Sequence, residues 1–418
     1  MLSRNKDGIK VKMLRFSLLP NRWWNRDRVW DTELPYIHYA FSMCASLMAT
    51  YLLFGNSVYQ PDFDFLAYFR ASHIIFIDPD KLYDVSAYPV HSHIVHFLPY
   101  INPPTFLLIL CPLAFFSYPV AYGIWMMFNI AVSILLIKKI RALSELIGIQ
   151  KYKNLFGSLT MGLPLWVNIL LQGQASIVIT AAITIFLLYL QNRQEKFGAF
   201  WFSVALCIKP HLFLPLLCFF AGYRRYRLLA YIFLWTLFFT WLSILLVGYH
   251  AWVDFFLQIA ALNAHLTERA AACVYMINLR GVFSYFLGLR YETLITYVSF
   301  LGYSLIMLAS WLIGNYGSTR LVLCQETLPL ALSLSFFFSP WLHVQDCYVL
   351  LPVTIFVLTS LAELEREVLL LPVYIFAFPI SLLIPMAWAN RLLLIVFVCV
   401  SGYNVWSCRP VSVNTATT

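Results

Sequence analysis

The sequence predicts an all-α polytopic integral membrane protein, on three observations. Only 11% of the 418 residues are charged, against about 25% in soluble proteins. Apolar runs of helical length recur from residue 37 to residue 400, and the mean hydropathy is +0.76. The net charge of +9 gathers in short polar segments between those runs. Loops on the cytoplasmic side are expected to carry that charge, so no nucleic-acid partner is needed to explain it.

Taken in order, residues 1–35 form a basic segment with Arg4, Lys6, Lys10, Lys12 and Arg15. It is too polar for a signal peptide and is expected in the cytoplasm. A single transmembrane domain is expected over 36–407, with a cytoplasmic tail at 408–418. The first span, 37–54, delivers a polar loop, 56–104, to the outer side. The run at 106–116 is shorter than the roughly 17 residues a crossing needs, so it reads as a re-entrant or surface helix. A crossing there would also leave Lys138, Lys139 and Arg141 outside. Spans at 120–137, 155–171 and 177–190 follow. A single span over 197–223 would strand Arg224, Arg225 and Arg227 outside. Pro210 breaks helical hydrogen bonding, so two half-spans meeting at Lys209-Pro210-His211 are preferred. Further spans are expected at 228–247, 293–313, 328–338, 348–361, 368–383 and 392–400. The segment 248–290 forms a second outer loop with a surface helix at 282–287. The total is about twelve crossings with both ends inside. The nine cysteines mostly lie in apolar runs without C-x-x-C pairing, and read as small core hydrophobes.

This topology gathers the informative polar groups on one side. Four of nine histidines and five of nineteen acids fall in loop 56–104. Asp62 and Asp64 follow Pro61; either is placed to act as a general base, to cap the next helix or to hold a divalent cation. His91, His93 and His96 lack the further ligands a zinc site needs. Lys209 is a candidate partner for a lipid phosphate or a snorkelling lysine. His343 and Asp346, three residues apart, share one face if helical. Gln174, His265 and Arg269 fall on the same side. Charges near a membrane are costly and mostly functional, so a one-sided ring indicates a surface active site. A transporter would carry such groups near the midplane.

Asp64-Phe65-x-x-Tyr68-x-x-Ala71 with Leu82-Tyr83-Asp84 resembles the first outer loop of glycosyltransferase family 87. Asn102-Pro103-Pro104, Gly173-Gln174, Lys209-Pro210-His211 with Arg224-Arg225-Tyr226-Arg227, and Ser339-Pro340…His343…Asp346 resemble further blocks of that family in its order. The resemblance runs from about residue 62 to 352. It implies a GT-C fold, a polyprenyl-phosphate sugar donor, and a hexose (mannose favoured) passed to an envelope lipid or glycan acceptor. It further implies metal-independent chemistry without a cofactor, at the periplasmic face of a bacterial inner membrane. The base then maps to Asp64, with Asp62 as the alternative. Lys209, His211, Arg269 and Arg280 map to the donor phosphate, and Tyr68, Asn102, Gln174, His343 and Asp346 to substrate positioning. The competing readings are a transporter or flippase for a lipid or polyol, and a non-catalytic assembly partner.

Overall fold

A computed structural model describes residues 63–84, 100–148, 150, 153–162, 164–264, 276, 278–319, 324–362 and 399, and among them no strand is present. The helices are α1 (Phe63–Ile77), α2 (Leu107–Leu110), α3 (Tyr118–Leu146), α4 (Lys153–Gly162), α5 (Pro164–Gln172), α6 (Ser176–Gln191) and α7 (Glu195–Ile208). They continue with α8 (Leu214–Gly222), α9 (Tyr226–Val247), α10 (His250–Ala264), α11 (Leu279–Leu287), α12 (Glu292–Thr319), α13 (Cys324–Phe338) and α14 (Leu351–Ala362).

Among the described residues three helices are long and apolar enough to cross a membrane, α3, α9 and the 292–318 stretch of α12; the bent pair α5 and α6, at 120°, makes a fourth if counted as one span. Their polarity is inverted relative to a soluble bundle. On α9 the exposed positions include Phe233, Leu234, Leu237, Phe238, Trp241 and Leu245, a stripe at helical spacing that suits lipid and would be a liability in water. On α3 the buried positions include Asn129 and Ser133, and the Trp166 indole donates to the Ser133 hydroxyl at 2.8 Å. Polar side chains that find partners inside a bundle join helices where lipid offers no hydrogen bonds.

The expected total of about twelve crossings exceeds what these helices provide. The expected spans at 37–54, 368–383 and 392–400 lie outside the described residues, as do Asp62, the loop histidines at 91, 93 and 96, His265 and Arg269. The expected third span is two helices instead of one, because Pro164 begins α5 where a continuous helix would need its N–H. Thr160 thereby loses its partner four residues on, and the Tyr348 hydroxyl donates to that carbonyl instead. The segment Pro104–Phe115 is a short helical stretch of α2 flanked by 3-10 turns, too short to cross, as the sequence indicates.

The chain at 195–225 is a hairpin. The Arg225 guanidinium lies 2.9 Å from the Glu195 carboxylate, so the start of α7 and the start of α9 share one end of the bundle. An uninterrupted helix from 195 to 225 would separate them by about 45 Å. The pairing continues in parallel, with Ser203 donating to the Ile232 carbonyl at 3.0 Å. Beside this hairpin, α8 and α12 cross at two glycines. A Cβ on Gly222 would stand 2.0 Å from the Trp311 oxygen, and one on Gly314 would stand 2.1 Å from the Phe219 oxygen. No side chain fits that approach, which is how small residues let helices touch in membranes.

The bundle therefore has two unlike ends. At one, α6 and α8 each end in a residue with positive φ, Arg193 at 58° and Arg224 at 61°; Glu145, Lys153, Glu195 and Arg225 pair there. At the other lie the start of α1, the α5–α6 turn and the tip of the α7–α8 hairpin.

Two measurements check this arrangement. In a cysteine-free background, Arg193→Cys and Arg224→Cys should react with a membrane-impermeant maleimide from the same side, and Asp80→Cys from the opposite side. Labelling of positions 193 and 224 from opposite sides would refute the hairpin. Gly314→Leu should lower stability by about 1–3 kcal/mol or more through overpacking, read as reduced thermal stability in nanodiscs, while the exposed Leu308→Ala should change it by no more than about 0.5 kcal/mol.

Candidate active site at the hairpin tip

The site begins with how α5 ends. The Gly173 N–H bonds the Leu170 carbonyl and the Gln174 N–H bonds the Ile169 carbonyl at 3.0 Å, a Schellman motif that needs a left-handed residue between them. Gly173 supplies it with φ +70°, and a Cβ there would lie 2.5 Å from the Phe65 Cβ. Both the backbone angle and the close approach to α1 therefore demand glycine. Two aromatic donors tie the turn to α3: the Trp125 indole bonds the Gly173 carbonyl at 2.7 Å, and the Tyr122 hydroxyl bonds that of Leu171 at 2.6 Å. The turn thus delivers Gln174 to Asp64, whose Oδ2 accepts a bond from Gln174 Nε2 at 2.5 Å.

Asp64 occupies the first turn of α1. Burial pushes its carboxyl up to about 6, with the Asp346 charge adding to the rise and the Gln174 bond and Lys209 ammonium opposing it. One turn along, Tyr68 is buried, its ring edge-on to Phe106 at 5.1 Å. Its hydroxyl meets the Asn102 side chain and the Ala175 backbone. Asn102 is buried and fixed by its neighbours: the Tyr83 hydroxyl bonds its carbonyl at 2.7 Å, and Thr105 reaches across to the Cys207 carbonyl at 2.7 Å. That last bond satisfies an oxygen which the end of α7 leaves without a helical partner.

Lys209 sits where α7 stops. The residue before a proline is steered away from helical angles, and Lys209 has φ −141° and ψ 79°. The kink turns its side chain inward, where Nζ lies 2.5 Å from Asp346 Oδ1. Asp346 is fully buried; Ser176, in the first turn of α6, donates to the same oxygen at 3.1 Å, and the His343 N–H reaches Oδ2 at 3.3 Å. Burial alone would raise the Asp346 carboxyl, but Lys209 and the nearby imidazoles outweigh it and hold the group below its ordinary value. Two imidazoles flank the pair. Burial and the Lys209 charge push His211 down to about 4, and burial lowers His343 as well. A His211 ring nitrogen, Nε2, lies 2.9 Å from the Trp341 carbonyl; since a carbonyl only accepts, that nitrogen carries the proton and Nδ1 is left an acceptor.

Of the residues singled out in the sequence, Asp64, Tyr68, Asn102, Gln174, Lys209, His211, His343 and Asp346 converge here. Arg280 adjoins the cluster through Trp341. It is buried, donates to Thr296 at 3.0 Å and stacks 4.9 Å over the Trp341 ring, so it lies behind the residue that holds His211. Asp62 and Arg269 fall outside the described residues. Sequence reasoning missed Ser176, Gln172 with its partner Gln345, and Trp341. Ser176 carried a faint signal, a hydroxyl at a helix start two residues after Gln174. Trp341 carried none, since it acts through its backbone carbonyl and ring. Among the described residues no three His, Cys, Asp or Glu side chains come together as a cation site.

What the arrangement offers is a carboxylate that ionises near neutrality beside a buried ammonium held by a second acid, all at one end of a membrane bundle. No curated protein and no solved structure matches the chain. The profile of glycosyltransferase family 87 matches residues 100–340, a stretch that contains Asn102, Gln174, Lys209 and His211 and more than half of the sequence, and the chain belongs to that family.

Proposed function

We propose that this membrane glycosyltransferase moves a hexose, with mannose favoured, from a polyprenyl-phosphate donor to a hydroxyl of an envelope lipid or glycan. We place the reaction at the periplasmic face of a bacterial inner membrane. The observation that carries the reading is the gathering at the hairpin tip of Asp64, bonded to Gln174, with the Lys209–Asp346 pair, close enough for the Lys209 charge to act on the Asp64 carboxyl. Asp64 takes the proton of the acceptor hydroxyl as that oxygen bonds the anomeric carbon. The bond from that carbon to the phosphate oxygen breaks, and polyprenyl phosphate leaves with the electron pair. Lys209 stabilises the departing phosphate. An ammonium has three donors and Asp346 occupies one, so two remain for the phosphate. Asp346 and Ser176 hold that ammonium at the tip, and His211 and His343, being neutral, add no charge that would compete for the leaving group. The apolar helices below offer the polyprenyl chain a hydrocarbon surface. The basic opposite end of the bundle fits a cytoplasmic location, which supports a site on the outer side.

Four outcomes are expected. Asp64→Asn should lower transfer from polyprenyl-phosphate mannose or glucose to a membrane extract by about 10²–10⁴-fold with the fold intact. Unimpaired transfer would remove Asp64 as the base. The wild-type rate should rise with pH and level off above about 6, the value to which burial raises this carboxyl. The same shift has a stability consequence: between the ordinary value of 3.8 and about 6 the folded state holds the proton more tightly than the unfolded chain, so stability falls as pH rises through that window. Asp64→Asn should therefore stabilise the protein above pH 6 and not below pH 4. Finally, Lys209→Met and Asp346→Leu should each cost about 3–5 kcal/mol by leaving one buried charge alone, and the double variant should regain stability without regaining transfer.

A further inference from the structure

Gln174 is the residue at the site whose bonding is incomplete. Its Nε2 is committed to Asp64 at 2.5 Å, while its Oε1 is buried and, among the described residues, has no hydrogen-bond partner. The residue is only 7% exposed, so its side chain cannot swing away to water. An ionised carboxylate is acceptor-only, so the amide cannot flip without setting oxygen against oxygen. The Schellman turn that places Gln174 leaves no backbone freedom either, since Gly173 is wedged on Phe65. A buried acceptor without a donor is destabilising, and Gln174 accepts that cost immediately beside the carboxylate that its own nitrogen orients.

We infer that Gln174 Oε1 is a specificity-determining contact that accepts a hydrogen bond from a second hydroxyl of the acceptor, adjacent to the one Asp64 deprotonates. This deepens the transferase reading and rests on it. An amide nitrogen and oxygen share one carbon, so the orphan oxygen lies next to the carboxylate held by the nitrogen. A substrate presenting one hydroxyl to Asp64 presents its neighbour to Gln174. The chemical class of acceptor that satisfies both is a vicinal diol on a ring, such as a pyranose or a cyclitol. An isolated primary alcohol on a lipid chain satisfies only one. Asn102 and Tyr68 do not duplicate the contact, because the Tyr68 hydroxyl and the Asn102 side chain engage each other.

The test uses the full chain in nanodiscs with decaprenyl-phosphate mannose and decaprenyl-phosphate glucose as donors. The acceptors are octyl mannoside, the set of its monodeoxy analogues, and a membrane extract. Wild type should lose about 10- to 100-fold in kcat/KM with the analogue that lacks the hydroxyl next to the transfer position. Gln174→Met should transfer more slowly but treat that analogue and its parent alike. A residue that only positions Asp64 would slow both acceptors equally and leave the ratio unchanged, which would overturn the inference. If Gln174→Met does not fold, Gln174→Glu supplies the second measurement. It keeps an acceptor oxygen and loses the donor, so the deoxy penalty should persist while the acid limb of the pH profile moves upward. Loss of the penalty in that variant would also overturn the inference. Transfer to the extract with no penalty for any analogue, or with no octyl glycoside accepted, overturns the diol inference and leaves the transferase reading standing. No transfer to any acceptor overturns both.

Discussion

Burying Lys209 and Asp346 removes two charges from water, at several kcal/mol per ion even after relaxation, and only close pairing with further hydrogen bonds returns that cost. The pair meets the requirement at 2.5 Å, with Ser176 and the His343 backbone completing the carboxylate. Because its four contributors come from the α7–α8 hairpin, the first turn of α6 and the turn after α13, the pair fixes how these elements meet. Removing one partner would unbalance all of them. The same constraint explains why the neighbouring imidazoles are neutral: a second cation beside Lys209, without water, has no compensating acid left.

The tip itself is a product of proline chemistry. Pro210 ends α7 and pushes Lys209 out of helical angles; Pro164 divides 153–172 and frees the Thr160 carbonyl, which Tyr348 takes up. In lipid each such break exposes backbone groups that water cannot satisfy, so a break persists only where side chains close the gap. Thr105 on Cys207 and Tyr348 on Thr160 do so. Breaks in this bundle are therefore costly places, and they coincide with the polar cluster because the same protein groups that repair the backbone build the walls of the site.

Asp64 is held by a different device. A glycine turn with no room for a Cβ sets Gln174 against it, and an aromatic wall of Phe65, Tyr68, Phe106 and Trp125 excludes water from below. Desolvation raises the carboxyl toward neutrality, which a general base needs, at the expense of stability. The acid at the start of α1 and the cation at the hairpin tip are thus prepared independently, one by a hydrophobic wall and one by a counter-ion, and become a site because the bundle brings their elements to one end.

The membrane class was legible in composition alone, since a chain so poor in charge cannot solvate a globular surface. Charge parity also gave the hairpin at 195–225 from the residues themselves: three arginines at 224, 225 and 227 had to rejoin the side that Arg193 and Lys196 occupy, and Pro210 marked the turn. The gathering of polar groups on one side brought Asp64, Gln174, Lys209 and Asp346 to attention, and the resemblance in short blocks gave them roles. Sequence could not give their bonding, because contacts between residues 110 and 137 positions apart depend on how helices stack and not on local periodicity. Nor could it give the contacts of Arg280, a bond to Thr296 and stacking over the Trp341 ring, which no spacing encodes. It ran 155–171 as one span because hydropathy does not register the single hydrogen bond that Pro164 removes. Sequence by itself determined the solvent, the polarity and the breaks of the chain; tertiary structure alone decided which buried charges neutralise each other, because that energy exists only once water has been excluded.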